Sequence, residues 1–241
     1  MDDSVKKLQQ WIDESSKIVF FGGAGVSTES GIPDFRSVDG LYNQKYDEPP
    51  ETILSHSYFV QYPEKFFRFY RDKMLFLDAE PNAAHRKLAQ LEAAGKLTSV
   101  VTQNIDGLHQ KAGSKCVQEL HGSVWRNYCT RCHKFYTAEE VKNSPDIVPR
   151  CSCGGIIKPD VVLYEEALDS DTVNEAVMHI QEADMLIVGG TSLVVYPAAG
   201  LIQYYRGKKL VLINLSPTPY DKQADLVVAG KIGAVLDQIR V

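Results

Sequence analysis

Four cysteines lie in two close pairs in the middle of the 241-residue chain, as Cys129-Thr-Arg-Cys132 and Cys151-Ser-Cys153, with 18 residues between the pairs. Two thiol pairs at this separation are typical of a zinc ribbon, because a structural Zn²⁺ ion takes four thiolate ligands in tetrahedral geometry. The alternative is two disulfides, which would require a secreted protein in an oxidising compartment. We predict that these four cysteines bind one structural zinc ion, which leaves no open coordination position for catalysis.

A glycine-rich segment, Gly22 to Gly31, directly follows the first predicted strand. Glycines permit a tight turn, and the start of a following helix would present free N–H groups to a diphosphate. The segment departs from the fingerprint of the dehydrogenases. Thr28 stands where the third glycine belongs, and no second strand ending in an acidic residue follows about twenty residues later. The segment also lacks the Lys-Ser/Thr of an ATP-binding loop. It therefore predicts a nucleotide site without ordinary hydride transfer.

Three polar residues, Gln103, Asn104 and Asp106, come directly after another predicted strand. They are expected at the carboxyl edge of the sheet, where open α/β sheets bind ligands. A carboxylate and two amides suit a ligand rich in hydroxyl and amide groups, such as ribose and nicotinamide. On chemistry alone, Asn104 and Asp106 could equally be turn formers.

His121 is the favoured general base among the six histidines of the chain. It ends a predicted strand and precedes Gly122, so it faces the same edge as Asn104. Imidazole titrates near neutral pH, which suits removal of a proton from a sugar hydroxyl. His109 is the second candidate, with a local hydrogen-bonding role favoured for it. His133 adjoins Cys132 and could replace a thiolate ligand of the metal.

Short β-branched apolar runs recur along the chain and fit strands that are buried on both faces. They are Lys17 to Phe21, Leu97 to Thr102, Val117 to Leu120, Ala183 to Val188, Lys209 to Ile213 and Asp225 to Val228. Helical patterns between them include Ala83 to Ala94 and Asp169 to Glu182, the second with Asp169 or Ser170 as its N-cap. The alternation predicts an α/β fold with a Rossmann-like, doubly wound parallel sheet.

Two stretches break this alternation: residues 37–77, which are aromatic-rich and helical in parts, and residues 126–159, the zinc ribbon. We interpret both as insertions that together form a small domain. The Rossmann-like domain would then consist of residues 1–36, 78–125 and 160–241. A crevice between the two lobes would lie along the carboxyl ends of the large domain's strands.

The overall charge is acidic, with a net charge of −5 and a pI of about 5.7. It gives no electrostatic support for nucleic-acid or anionic-membrane binding. Residues 126–158 carry six basic and three acidic side chains, an excess that is usually a solvated face.

The N-terminal residues are polar and begin an amphipathic helix, which argues against a secretory signal. Residues 183–202 are apolar, but Asp184, a glycine pair and Pro197 favour a strand and a turn over a membrane span. The fifth cysteine, Cys116, is expected to be a buried, inert thiol. We expect a cytoplasmic monomer that binds neither membrane nor nucleic acid.

Several ordered blocks of the sequence resemble the signature of the sirtuins, the NAD-dependent protein deacylases, in their bacterial form. The blocks are Gly23-Ala24-Gly25-Val26-Ser27, Gly31-Ile32-Pro33-Asp34-Phe35-Arg36-Ser37, Thr102-Gln103-Asn104-Ile105-Asp106-Gly107-Leu108-His109, Leu120-His121-Gly122, the four cysteines, the run from Gly190 to Ala199, and Ile213-Asn214-Leu215-Ser216. The resemblance spans almost the whole chain. It implies NAD and one structural zinc ion as cofactors, and acylated lysine in proteins as the substrate.

The resemblance also implies which residues bind NAD. They are Gly23, Ala24, Gly25, Thr28, Asp34, Phe35, Arg36, Gln103, Asn104, Ile105, Asp106, His121, Gly190, Thr191, Ser192, Asn214 and Ile232. The matching Asp contacts the nicotinamide carboxamide and the matching Asn orients the reacting ribose, so Asn104 joins His121 as a catalytic residue. Thr191 and Ser192 are expected to open a helix and bind a phosphate, with Asn214 on the adenosine ribose and Ile232 in the last loop beside adenine.

The implied reaction begins when the acyl-lysine carbonyl oxygen attacks the anomeric carbon of the nicotinamide ribose and expels nicotinamide. His121 then draws a proton from the ribose, whose hydroxyl attacks the alkylamidate intermediate. The products are free lysine, nicotinamide and O-acyl-ADP-ribose. Phe35 would shield the reactive carbon from water.

Two departures from the family pattern bear on the substrate. Val161, Val162 and Tyr164 are expected to pair with the substrate peptide as an added strand, but Glu165 stands where the family commonly has glycine. Sirtuins that remove succinyl or malonyl groups carry a Tyr and, three residues later, an Arg, whereas this chain has Tyr70 and Lys73. Lysine lacks the bidentate fork of arginine, so we expect removal of acetyl or another neutral acyl group.

Three alternatives remain open on sequence alone. The chain could be a mono-ADP-ribosyltransferase or a desuccinylase on the same scaffold, or a catalytically silent NAD-sensing or zinc-ribbon interaction module. The presence of Asn104, Asp106 and His121 argues against the silent module.

Overall fold

The computed structural model describes residues 2–35, 40–41 and 48–241. The predicted cofactor residue Arg36 lies outside the described residues. The described strands are β1 Ile18–Gly22, β2 Leu97–Thr102, β3 Val117–Glu119, β4 Gly122–Cys129, β5 Phe135–Tyr136, β6 Ile157–Val161, β7 Met185–Gly189, β8 Leu210–Asn214 and β9 Leu226–Ala229. The described helices are α1 Asp3–Glu14, α2 Pro50–Ile53, α3 His56–Gln61, α4 Pro63–Lys73, α5 Ala83–Ala93, α6 Leu108–Lys111, α7 Ala138–Lys142, α8 Ser170–Glu182 and α9 Ile232–Asp237.

The larger sheet contains six strands in the order β3-β2-β1-β7-β8-β9, all parallel. This order is that of a doubly wound Rossmann-like sheet, so the predicted fold class is confirmed. The chain reverses its winding direction between β1 and β7, where Gly22 pairs with Gly189. In such sheets the crevice outside the strand ends at this switch point is the usual ligand site.

Both faces of the sheet are covered, because alternate side chains of each strand point to opposite faces. Phe20 packs in a cluster with residues of α1, α5 and α9, and Phe21 packs in a second cluster with residues of α8 and the 3₁₀ helix Ala198–Tyr204. Every residue of β1 is buried, which explains its unbroken apolar sequence. Helix α8 begins after Asp169, whose carboxylate accepts a hydrogen bond from the Thr172 N–H at 2.8 Å, as a good N-cap does.

The smaller sheet is antiparallel, with the order β5-β4-β6. Its apolar side chains share one cluster with the helices that precede it. Phe59, Phe66 and Tyr70 of α3 and α4 lie in the same cluster as Val124 and Cys129 of β4. The helical segment and the cysteine-bearing segment therefore pack as one layer. Strand β4 begins before residue 126 and β6 ends after residue 159, and the domain boundaries stay a prediction.

Two local expectations about helix starts are wrong. The glycine-rich segment after β1 does not lead into an α-helix but forms two short 3₁₀ turns, Ala24–Val26 and Thr28–Ser30. Thr191 and Ser192 do not open a helix either, since the next helical element after β7 is Ala198–Tyr204. The pattern of a phosphate-binding loop followed by a helix led to both expectations, but tight loops follow the strands here. None of the described helices is long and apolar enough to cross a membrane.

Candidate functional site

A cavity of about 690 Å³ opens at the carboxyl ends of β1, β2, β7 and β8, between the two sheets. Each predicted cofactor or substrate residue that the structure describes lines it. These residues are Gly23, Ala24, Gly25, Thr28, Asp34, Phe35, Gln103, Asn104, Ile105, Asp106, His121, Val161, Val162, Tyr164, Gly190, Thr191, Ser192, Asn214 and Ile232. Segments far apart in sequence therefore meet around one cavity. Their individual roles stay predictions.

The glycines after β1 allow two loops to touch. A Cβ atom at Gly23 would stand 2.8 Å from the Thr191 side chain, and one at Gly25 would stand 2.9 Å from the Gly190 backbone. The Gly25 N–H donates to the Gly190 carbonyl oxygen at 2.8 Å and the Gly23 N–H to the Gly189 carbonyl at 3.3 Å. These two N–H groups are thus already bonded within the protein. Close packing of the loops explains the glycines at these positions.

A chain of short hydrogen bonds joins the polar residues after β2 to the glycine-rich segment. The Ser27 hydroxyl donates to the Asp106 carboxylate at 2.6 Å, and the Asn104 amide donates to the Ser27 oxygen at 3.1 Å. Burial raises the pKa of Asp106, while the bonds from Ser27 and from the Leu108 N–H act in the opposite direction. The sequence motif contains Ser27 but does not predict its role, because this network between distant segments forms only in the folded chain.

His121 has a defined tautomer because its Nδ1 atom lies 2.9 Å from the Gln103 carbonyl oxygen. A carbonyl can only accept, so Nδ1 carries the proton and Nε2 retains its lone pair. Burial lowers the pKa of His121 and the hydrogen bond to Gln103 partly offsets this effect. The imidazole is therefore neutral near pH 7, which is the form that a general base requires.

The expectation for His109 is wrong. Its ring is buried against Phe20 and His85, and neither ring nitrogen has a hydrogen-bond partner among the described residues. It belongs to the interior beneath the site and does not line the cavity. The sequence does not predict the burial of this histidine, because burial depends on the tertiary packing of the folded chain.

The cavity wall at Asn214 contains an unsatisfied polar atom. Asn214 accepts the Thr191 N–H at 3.0 Å, but its own buried Nδ2 atom has no partner within the part of the chain that is described. Ile232 lies at the start of α9 and not in a loop. The Glu29 carboxylate fixes this end of the cavity by accepting the Gly233 N–H at 2.6 Å. An orphaned donor beside the cavity fits a hydroxyl-rich ligand such as a dinucleotide.

The strand expected to pair with a peptide is partly occupied by bonds within the protein. The Val162 N–H donates to the His121 carbonyl, the Tyr164 N–H to the Leu54 carbonyl, and the Leu163 N–H to the Glu166 carboxylate. The Leu163 and Tyr164 carbonyls also accept bonds, from the Glu166 and His56 N–H groups, so an added strand would have to share or displace existing bonds here. Glu165 has a left-handed φ of 76°, a conformation that favours glycine, and its carboxylate caps α3 through the Ser57 N–H at 2.9 Å.

The four cysteine sulfurs lie within 4.8 Å of one another. Cys129 and Cys153 sulfurs are 3.4 Å apart and Cys132 and Cys151 sulfurs 3.5 Å apart, far beyond a disulfide bond. Four thiolates at about 2.3 Å from Zn²⁺ in tetrahedral geometry would be about 3.8 Å apart, so the cluster fits one zinc ion. His133 is exposed and is not part of the cluster.

Fold and site together define a nucleotide-binding α/β protein with a zinc-ribbon lobe. A family model described as the Sir2 family matches residues 23–197. The chain is 60% identical over 240 residues to an NAD-dependent protein deacetylase of Clostridium acetobutylicum, covering 98% of each. This chain belongs to the Sir2 family.

Solved Sir2 structures have the same fold. A Sir2–p53 peptide–NAD+ structure is 42% identical, with a TM-score of 0.86, and covers 98% of this chain and 96% of that one. A structure of Sir2 bound to acetylated peptide is 40% identical, with the same TM-score and the same coverage.

Proposed function

We propose that this chain is an NAD-dependent protein deacetylase that transfers the acyl group of a modified lysine to ADP-ribose, with release of nicotinamide and O-acetyl-ADP-ribose. The observation that carries the proposal is the pairing of His121 Nδ1 with the Gln103 carbonyl, which leaves Nε2 unprotonated in a residue that lines one cavity with Asn104 and Asp106. Similarity to deacetylases over nearly the whole chain supports it.

Within this function, NAD supplies the glycosidic bond that breaks and the ribose that accepts the acyl group. The residues of the chain orient the sugar hydroxyl and remove its proton. Asn104 is held by Ser27 through its side chain and by the Thr102 hydroxyl through its backbone N–H, so its amide is preorganised to orient a sugar hydroxyl. His121 Nε2 would take the proton from that hydroxyl. Phe35 lines the cavity and would exclude water.

The acyl group would be neutral. Lys73 lines the cavity, but its ammonium lies 2.9 Å from the Asp72 carboxylate, which partly neutralises it. Arg71 points elsewhere, because its guanidinium donates to the Asp146 carbonyl at 2.7 Å. Burial raises the pKa of Tyr70, so its hydroxyl remains protonated. A negatively charged acyl group would thus meet a weakened cation without the arginine fork.

The test incubates the purified protein with NAD and an acetylated peptide and identifies the products by mass spectrometry. Formation of free peptide and O-acetyl-ADP-ribose supports the proposal, whereas ADP-ribose attached to the protein or peptide would indicate a mono-ADP-ribosyltransferase. His121→Ala should reduce product formation by about 10²- to 10⁴-fold, and His179→Ala, a change on α8 outside the cavity, should not. A matched succinylated peptide decides the acyl group, since a much faster succinyl reaction would contradict a neutral preference.

Three further proposals concern the location, the oligomeric state and the partners of the enzyme. We propose that the enzyme acts in the cytoplasm as a monomer, without nucleic acid. The acidic net charge of −5 supports the absence of nucleic acid from its partners.

A further inference from the structure

Strand β4 contains a bulge beside the cavity. Ser123 pairs with Asp160 of β6 and Asn127 pairs with the preceding residue, Pro159, so three residues of β4 have no counterpart on β6. These residues are Val124, Trp125 and Arg126. Bulges redirect side chains and backbone groups away from the ladder, and here they turn toward the larger sheet.

The bulge is bonded to the loop that carries Asp106. The Val124 N–H donates to the Ile105 carbonyl at 3.0 Å, and the Trp125 indole N–H donates to the Asp106 carbonyl at 2.7 Å. Trp125 belongs to the small-lobe cluster, whereas Asp106 follows β2 of the larger sheet. The indole bond therefore joins the two parts of the molecule at the cavity wall.

The indole ring also fits against Gly107. This glycine has a left-handed φ of 71°, and a Cβ atom there would stand 2.8 Å from the indole Cδ1 and Nε1 atoms. Gly107 precedes α6, whose first N–H, that of Leu108, donates to the Asp106 carboxylate at 2.9 Å. Trp125 thus contacts the backbone on the C-terminal side of Asp106, while Ser27 holds the carboxylate itself.

We propose that Trp125 is a positioning residue for the nicotinamide end of the cofactor site. It acts through Asp106, by fixing the carbonyl and the following glycine so that the carboxylate keeps its orientation in the cavity. The inference rests on the proposed function, because it takes the cofactor of that function as the ligand of Asp106. Its effect is on NAD binding, and the peptide side of the cavity is not involved.

The principal test is Trp125→Phe, which keeps an aromatic ring and removes the N–H donor. Loss of one neutral hydrogen bond should raise the Kd of NAD, measured by calorimetry, and the KM for NAD by about five- to tenfold. The kcat should change by less than about twofold, and the KM for the acetylated peptide should stay the same. A purely structural role would lower the active fraction, and hence kcat, without this split. An unchanged Kd and KM for NAD would overturn the proposal.

A spectroscopic readout covers the case in which Trp125→Phe does not fold. The chain has two tryptophans, and Trp11 lies on α1 outside the cavity. In Trp11→Phe the fluorescence reports Trp125 alone. Addition of NAD should then change the emission saturably, at concentrations that match the calorimetric Kd. A constant emission while calorimetry detects binding would overturn the proposal.

The two proposals fail in different ways. If wild-type protein binds NAD and shows the Trp125 effects but does not deacetylate the peptide, the proposed function is wrong and the positioning role stands. If wild-type protein turns over but Trp125→Phe binds NAD as well as wild type, only the positioning role is wrong.

Discussion

The rings of His85 and His109 meet edge to face in the interior, with their centroids 4.7 Å apart. His85 is fully buried, and its Nδ1 atom accepts the Asn82 N–H at 3.2 Å, which closes the capping box at the start of α5. A protonated ring could not accept this bond. The pair lies beneath the polar loop that contains Asp106, so its protonation state affects the support of the site.

The first prediction is a loss of stability in mild acid. Burial lowers the pKa of His85 to about 4, with a further contribution from Arg86, and burial and His85 hold the pKa of His109 well below 6.5. Below about pH 6.5 the unfolded chain therefore binds more protons than the folded chain does. The free energy of unfolding is highest above this pH and decreases as the pH falls toward the folded pKa. Between about pH 7 and about pH 5, the free energy of unfolding should fall by about 2 kcal/mol through His85, and His109 should act in the same direction.

Urea unfolding at several pH values measures this effect. His109→Leu removes one buried titratable ring whose nitrogens have no described partner, so the variant should fold at neutral pH and show a smaller decrease in acid. If the pH dependence of His109→Leu equals that of the wild type, the histidine pair is not its source.

The second prediction concerns the pH dependence of catalysis. The reaction requires neutral His121, and burial lowers the pKa of this residue below its usual 6.5. The acidic limb of the kcat/KM profile should therefore have its midpoint below pH 6.5, with full activity at neutral pH. His121→Ala should reduce kcat by about 10²- to 10⁴-fold while calorimetry still detects NAD. Full turnover by this variant would refute the role of His121 as base.

The third prediction is that removal of zinc unfolds the small lobe. Cys129 and Cys151 belong to the same cluster as the phenylalanines of α3 and α4, and Cys153 packs against it, so the loss of the metal should loosen more than the ribbon. A chelator, or the double change Cys129→Ala and Cys132→Ala, should lower the melting temperature and the zinc content together. Cys116→Ala is the matched control, because Cys116 lies outside the cluster. A double variant with unaltered melting would contradict a structural role.

The fourth prediction concerns Arg126, whose guanidinium lies 2.7 Å from the carboxylates of both Glu119 and Asp160. Glu119 ends β3 and Asp160 lies in β6, so one side chain bridges the two sheets. The Glu119 side chain is only 10% exposed, and Arg126→Met would leave its charge without a partner. Because Arg126 itself is 40% exposed, solvent screens the interaction, and the expected destabilisation is about 1–2 kcal/mol.

Urea denaturation of Arg126→Met measures this value, and Lys17→Met supplies the comparison. Lys17 pairs with Glu182 on the open surface, where both side chains are more than half exposed, so its removal should change stability by less than about 0.5 kcal/mol. Equal effects of the two changes would show that Arg126 does not bridge the sheets in solution.

Much of this architecture could be predicted from the sequence. The six apolar runs match the strands of the larger sheet to within two residues at each end, because strands buried on both faces leave a pattern that polar loops interrupt. The zinc cluster was predictable because ligand spacing is set by local chain geometry. The residues that line the cavity were predictable because they belong to the ordered motifs that resemble the sirtuin signature.

The remaining features depend on contacts between distant segments. Trp125 and Arg126 do not belong to any of the sequence motifs. Their roles depend on a bulge in β4, which pairs with a strand more than thirty residues later in the sequence. Tertiary packing also leaves both ring nitrogens of His109 without a described partner. It likewise commits the Val162 N–H to the His121 carbonyl. The helix starts expected at Thr191 and after Gly25 were also misplaced, because these two segments form loops that pack tightly against each other.

The hydrogen bond from the Gly233 N–H to Glu29 has a consequence for protein synthesis. It joins the segment after β1 to α9 through two residues that are 204 positions apart in the sequence, and Asn214 and Ile232 line the same cavity. A nascent chain acquires the zinc-binding cysteines well before α9, but the cavity wall at Asn214 and Ile232 is absent until these residues have been added. Translation products that stop before Asn214 should therefore bind NAD poorly and should not compete with the complete cavity for it.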